Sequence, residues 1–567
     1  MSTSDELYLA VDGEPLMNRP DSLPRPATPP APRRGLTAAV LGAVAALVLT
    51  ACGSGGAASG GADPAAAGPP QPGGTLRFAV GSDQGCVDPQ QVTSNDSIYS
   101  LRQIVDSLTD QDPATGEIKP WLATGWQVNA DATAYTFELR PGVTFSDGTP
   151  LDAAAVKANF DRVPQLGARG TLPKGYLASY QGTTTESPTK FTVTFSHSNV
   201  QFLQGTSTHS LGILSPATVA KTDDERCAAV IGSGPFVIES YALNQSTILT
   251  RRTGYNWGSS LSKHTGDAYL DRIEFRVVPE SGVRTGSLQS GEVDAIGSIG
   301  PQDEAPLTAA GVQLLGRANP GIPYSISFNL QKPIVSDAAV RAALSLAINR
   351  PEVVSAVFTS QTKAATSALA SSTPSFADES GQLAFDAAKA ASTLDADGWV
   401  PGPGGIRAKA GQPLSIELTF YSNSATNKPA LELIQQQVRK VGIDLQLRER
   451  PIADSSLVQQ SGDFVASWGN LTRADPDILR SQFSTAGNNY YRLPPSPLDQ
   501  LLADQAAQAD PVKRTALVGQ AQELLLQNHS VVPVVELTTL LGFAGGTHDV
   551  RFDASSRIYL YDAWKSS

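Results

Sequence analysis

The chain has 567 residues, well beyond the roughly 100–200 of one ordinary domain, so at least two separately packed bodies share it. Hydrophobic residues make up 41% and charged residues 17%, with 50 glycines and 40 prolines, which fits a loop-rich globular protein and excludes a coiled coil or a wholly disordered chain. A formal charge of −12 with no basic stripe argues against a nucleic-acid partner.

The first sustained apolar run, residues 36–51, follows Arg33 and Arg34 and leads directly into Cys52. It falls short of the roughly 20 residues that cross a bilayer as a permanent helix, and its basic flank and small residues before Cys52 predict a signal peptide over residues 1–51. The string Leu49-Thr50-Ala51-Cys52 resembles a bacterial lipobox, which would place a lipid on Cys52 and hold the mature protein on the outer face of the cytoplasmic membrane. The alternative is an uncleaved anchor with an incidental cysteine. Met1 and Met17 are both candidate starts, and Arg33-Arg34 leaves a twin-arginine export route open beside the general one. Residues 52–73 are almost wholly Gly, Ala, Ser and Pro after the cysteine, a flexible linker unable to build a core. With Cys52 lipidated, Cys86 and Cys227 remain, and an exported chain with two thiols most simply pairs them; two buried thiols in separate cores are the alternative.

The globular part opens with a strand over residues 74–80 and a helix over 98–109. Alternation predicts strands at 135–139 and 191–195, with a helix over 151–163 between them, and further strands at 236–240, 248–251 and 273–278. From Tyr324 the texture becomes helices alternating with single strands: helices over 337–350, 385–397 and 427–441, strands at 414–420, 443–447 and 464–468. Ser336 or Asp337 caps the first of these helices. Helices over 497–508 and 511–527, an apolar segment over 531–537 and a Tyr-rich tail complete the chain.

Signatures of bond chemistry are missing. The sequence contains neither Gly-x-Ser-x-Gly nor a phosphate loop ending in Gly-Lys-Ser/Thr, and its five histidines are scattered without metal-ligand spacing. No cofactor and no metal site are expected. Asp83, Asp96 and Asp475 are acids that a fold could bring to one cleft.

Four stretches in a fixed order carry a resemblance. They are LRPGVTFSDGTPL at 139–151, GSGPF at 232–236, FNL at 328–330 with Pro333 and DAAVRAALSLAINR at 337–350, and WGNLTRADP at 468–476. Together they resemble the extracytoplasmic solute-binding proteins of ABC importers, dipeptide, oligopeptide and nickel class. Most of these residues read as structural: Asp147-Gly148 as a tight turn, Gly232 and Gly234 as positions needing backbone angles barred to other residues, Arg341 as a tie between helices.

The resemblance implies an α/β fold, a two-lobed periplasmic-binding-protein clamp with mixed sheets. The first lobe would comprise residues 74–321 plus 534–567, with an extra subdomain at 106–230, and the second 322–533, the chain crossing near Gly321 and Pro533. It implies no enzymatic activity, a monomer, and as partners a small or peptide-like solute and an ABC permease with its ATPase subunits. An envelope enzyme or a structural lipoprotein on the same fold is the alternative.

In peptide-binding relatives the ligand backbone pairs with two segments, which correspond here to Val92, Thr93, Ser94 and Asn95 and to Ser467, Trp468 and Gly469, with Asn470, Leu471 and Arg473 beside them. Trp468 could equally be core packing. Those relatives place an Asp three residues after this Trp to hold a free amine, and this chain has Leu471 there. An ammonium buried without that partner costs several kcal/mol, so ordinary free-amine dipeptides are disfavoured, and Arg473 points towards an acidic or N-blocked ligand. A metal-chelate ligand is disfavoured by the lack of a His near Trp468.

Overall fold

The computed structural model describes residues 68–487 and 489–566. The expected signal segment, Cys52 and most of the linker lie outside the described residues.

Two large mixed sheets organise the rest. The first has seven strands in the order Gln313–Ala318, Thr538–Phe543, Ala295–Ile296, Thr75–Val80, Arg272–Val277, Ser246–Arg251 and Phe236–Ala242. Thr75–Val80 is its centre, parallel to both neighbours. Period-two alternation explains its burial on both faces: Leu76, Phe78 and Val80 enter one core while Ala79 enters another with Leu288 and Leu540. The second sheet has six strands, Lys363–Ala364, Val531–Glu536, Gly321–Phe328, Ala466–Thr472, Ser415–Tyr421 and Asp444–Arg450. Ile326, Ile416 and Leu418 pack on one face against Leu344 and Ile434, while Ile322 and Leu471 serve a second cluster with Leu525. Each sheet thus has its own cores, the arrangement of a two-lobed clamp.

A further four-stranded antiparallel sheet, Ala123–Val128, Ala134–Leu139, Lys190–Phe195 and Tyr180–Ser187 in spatial order, falls within the expected extra subdomain. Its Tyr135, Phe137 and Phe195 share one continuous core with Phe78 and Phe275 of the first sheet, so it is an extension of that body.

The chain passes from the first sheet to the second at residues 319–320 and returns at Leu537. The return was expected near Pro533, but Val531–Glu536 belongs wholly to the second sheet, pairing with Gly321–Phe328 and, at Glu536, with Lys363. Pro323 and Pro533 sit in these facing strands, and the register shifts there because proline gives no N–H to a ladder.

Several sequence motifs find physical roles. Asp337, not Ser336, caps the helix Ala338–Ala347 by accepting from Ala339 N. Arg341 donates to the carbonyls of Val335, Ser336, Asn528 and His529, tying that helix to the end of the helix Pro511–Gln527. Gly148 has φ of +85° beside Asp147, as a tight turn requires. Gly232 and Gly234 do not take positive φ. Their constraint is close approach: a Cβ would lie 1.9 Å from Ile104 O at Gly232 and 2.5 Å from Ile104 C at Gly234. The same contact ends the first helix early, at Asn95–Leu101 instead of residue 109, because Ile104 O and Gln103 O accept from Gly234 N and Phe236 N.

Cys86 and Cys227 form a disulfide that closes a separation of 141 residues, beside the buried ion pair of Arg226 with Asp88 at 2.8 Å. A loop of that length is expected to stabilise the fold by about 5 kcal/mol in the chain-entropy treatment. Thiol titration of the unfolded, unreduced protein is therefore expected to find neither of these sulfurs free, and reduction to lower the unfolding midpoint markedly.

Candidate ligand-binding site

A cavity of about 960 Å³ lies between the two sheets. It gathers loops from the carboxyl ends of strands, the usual place for a site in open α/β sheets. Gly81 and Ser82 follow Thr75–Val80, Pro279 and Glu280 follow Arg272–Val277, Ser298 follows Ala295–Ile296, and residues 422–429 follow Ser415–Tyr421. Leu537 to Leu540 of the return crossing also line it.

The strand Ala466–Thr472 forms one wall. On one edge it pairs with Gly321–Phe328 along most of its length; on the other, Ser415–Tyr421 pairs only with Ala466 and Ser467. Trp468 to Thr472 therefore have no strand partner on the second edge among the described residues, and all five line the cavity. The Trp468 ring is held rigidly: it stacks on Tyr324 with centroids 5.3 Å apart, and its Nε1 donates to Asn427 Oδ1 at 3.0 Å. It is both core packing and cavity wall, being 1% exposed.

Thr93, Ser94 and Asn95 line the opposite wall, and Ser467, Gly469, Asn470 and Leu471 stand with Trp468. The backbone N–H groups of Thr93 and Ser94 both donate to Gln84 Oε1, at 2.8 and 2.9 Å. Those two N–H groups are therefore not available to a ligand, and Ser94 O is taken by Ile98 N. Val92 is buried in the first core and does not line the cavity.

Arg473 likewise stands outside it: the guanidinium lies 4.4 Å over the Tyr176 ring and donates to Ser481 Oγ at 3.0 Å, because the strand ends at Thr472 and turns its next side chain into the protein. Nor do the three acids converge. Asp475 takes a bidentate pair from Arg514 at 2.6 and 3.0 Å, Asp83 accepts from Tyr241 Oη at 2.8 Å away from the cavity, and Asp96 alone lines it. Among the described residues, no group of three or more His, Cys, Asp and Glu comes together as for a metal.

The cavity's ionisable groups differ sharply in how they are satisfied. Asp96 accepts from Gly81 N and Ser82 Oγ, both at 3.0 Å, and burial raises its pKa against the lowering effect of those bonds and of Arg284. Arg284 donates to four carbonyls, those of Val278, Pro279, Gly297 and Ser298, so it braces the loops. Arg557, 3% exposed, also lines the cavity, and no local sequence pattern marks it. Near it His209 is 1% exposed with neither ring nitrogen partnered. Burial holds its pKa well below the ordinary 6.5, and the charges of Arg557 and Arg102 add to the shift.

Two outcomes are expected from these environments. Arg514→Ala, which strands the Asp475 carboxylate, should cost about 3–5 kcal/mol in chemical denaturation while leaving solute affinity unchanged. Because the folded pKa of His209 lies below its unfolded value, the unfolded chain takes up more protons as pH falls. Stability should be fully present above pH 6.5 and decline below it by up to about 1.4 kcal/mol per pH unit, and His209→Leu should remove that part of the pH profile.

Comparison with known proteins agrees with this architecture. The chain is 27% identical over 484 residues to the glutathione-binding protein GsiB of Escherichia coli strain K12, covering 81% of this chain and 88% of that protein. Its fold matches the oligopeptide-binding protein AppA of Bacillus subtilis, solved in complex with a nonapeptide, with a TM-score of 0.75 at 19% identity over 88% of this chain and 100% of the other. It also matches NikA of Brucella suis, solved with Fe(III)-EDTA, with a TM-score of 0.73 at 24% identity over 87% and 100%. The family described as bacterial extracellular solute-binding proteins, family 5 middle, matches residues 117–491, and the chain belongs to that family of binding proteins.

Proposed function

We propose that the protein is the lipid-anchored receptor of an ABC importer, a monomer that encloses a peptide-like or small polar solute without altering it and presents it to a permease with its ATPase subunits. The observation that carries this reading is the unpaired edge of Trp468 to Thr472 facing a large cavity between two sheets. Such an edge takes an extended ligand backbone as an added strand, giving affinity that reads few side chains. Leu471, at the position where peptide-binding relatives carry an amine-pairing Asp, supports a solute whose amine is blocked or absent.

Closure would pivot on the two crossings, with the first lobe formed by residues 74–318 and the segment after Leu537 and the second by the residues between. A solute drives closure only as far as it binds the closed state more tightly than the open one. Removal of residues 1–51, a lipid on Cys52 and the linker at 52–73 would keep this clamp on the outer face of the membrane.

Mass spectrometry of gently denatured mature protein is expected to release one solute, recovered at the same mass after repeated cycles of binding; a changed mass would mean turnover and remove the reading. Cys52→Ala is expected to shift the protein from the membrane pellet to the soluble exported fraction.

A further inference from the structure

Arg557 stands apart from the other buried guanidinium groups. Arg284 and Arg341 each spend theirs on carbonyl oxygens, Arg350 on the carbonyls of Pro533 and Leu383, Arg226 on Asp88, Arg551 on Asp110 and Arg514 on Asp475. The Arg557 guanidinium has no ion pair and no hydrogen bond to any described residue, and its Nε is buried without a partner.

The one acid whose charge acts favourably on it is Asp553, and Asp553 Oδ1 already accepts from the backbone N–H groups of Ser555 and Arg557, both at 2.9 Å. The positive charge of Arg102 acts against it, although Arg102 itself lies over the Trp121 ring, donates to Ser107 Oγ and feels the Asp106 carboxylate, and burial disfavours the charged form of His209. A buried cation with no direct ion pair is costly, and a fork of N–H donors facing a cavity matches a planar carboxylate in two parallel bonds.

We propose that Arg557 is the anchor for a carboxylate of the solute, at the end of the cavity lined by Tyr99 and Thr539. The inference rests on the receptor reading above and narrows its substrate class to acids. It also moves the anion-binding role from Arg473, which is spent on Tyr176 and Ser481, to a residue 84 positions later in the C-terminal segment.

The test compares wild type with Arg557→Gln and Arg557→Lys. Solute released from wild type is expected to carry a carboxylate, its occupancy to fall at least tenfold in Arg557→Gln, and Arg557→Lys to lie between. Solute-stripped wild type is expected to show a saturable rise in melting temperature with succinate but not with neutral succinamide at matched ionic strength, and Arg557→Gln to show neither. Since the substitution removes a buried charge that has no direct partner among the described residues, unliganded Arg557→Gln should melt no lower than wild type, whereas a purely structural arginine would lower it.

A neutral solute bound equally by wild type and Arg557→Gln overturns the anchor and leaves the receptor reading intact. So does a succinate response that is absent from wild type or unchanged in the variant. Conversion of the solute to a product would instead remove the receptor reading, whatever Arg557 does.

Discussion

Two passages of chain join the sheets, and the buried side chain of Asn319 ties one to the other. Its backbone N–H donates to Leu537 O at 2.9 Å, while its Oδ1 accepts from Thr539 N and Thr539 Oγ1 at 3.0 and 2.8 Å. Its Nδ2 reaches Thr472 Oγ1 at 3.3 Å, at the end of the strand that walls the cavity. One amide therefore registers both crossings and the tryptophan strand. Each of those groups would cost about 1–3 kcal/mol if buried unpaired, which holds the crossings together and concentrates any closure on them.

The cavity follows from that geometry. Loops at the carboxyl ends of the first sheet's parallel strands face the partly unpaired edge of the second sheet, so neither half makes the site alone. The walls are stiff: Trp468 is clamped by Tyr324 and Asn427, and Arg284 braces four loop carbonyls. Against this satisfied background a bare guanidinium such as Arg557 stands out as a group prepared for a guest.

Much of the fold was legible in the sequence. Alternation located Ala134–Leu139 and Lys190–Phe195 to within a residue, and the strand Ser415–Tyr421 and the helix Pro511–Gln527 also lie within a residue of their expected ranges. Long-range contacts account for the departures. The first helix stops at Leu101 because Gly234 and Phe236, more than 130 residues later, take the carbonyls it would need. The strand Ala466–Thr472 runs beyond Trp468 through Gly469 and Asn470, residues of low strand propensity, because Gly321–Phe328 supplies a ladder. The candidate site, as a cavity lining, was legible where motif and backbone coincide, at Ser467 to Leu471. It was not legible at Arg473 and Arg557, since which arginine finds an internal partner depends on neighbours such as Tyr176 and Ser481 that only folding brings near.

Two bodies on a shared pair of crossings that shut over an unchanged solute differ in compactness between the free and bound states. Small-angle scattering of the mature protein, with its co-purified solute and after that solute is stripped, should show a smaller radius of gyration with solute bound, reversible on removal and re-addition of the recovered compound. An identical radius in both states would mean that the two bodies do not close.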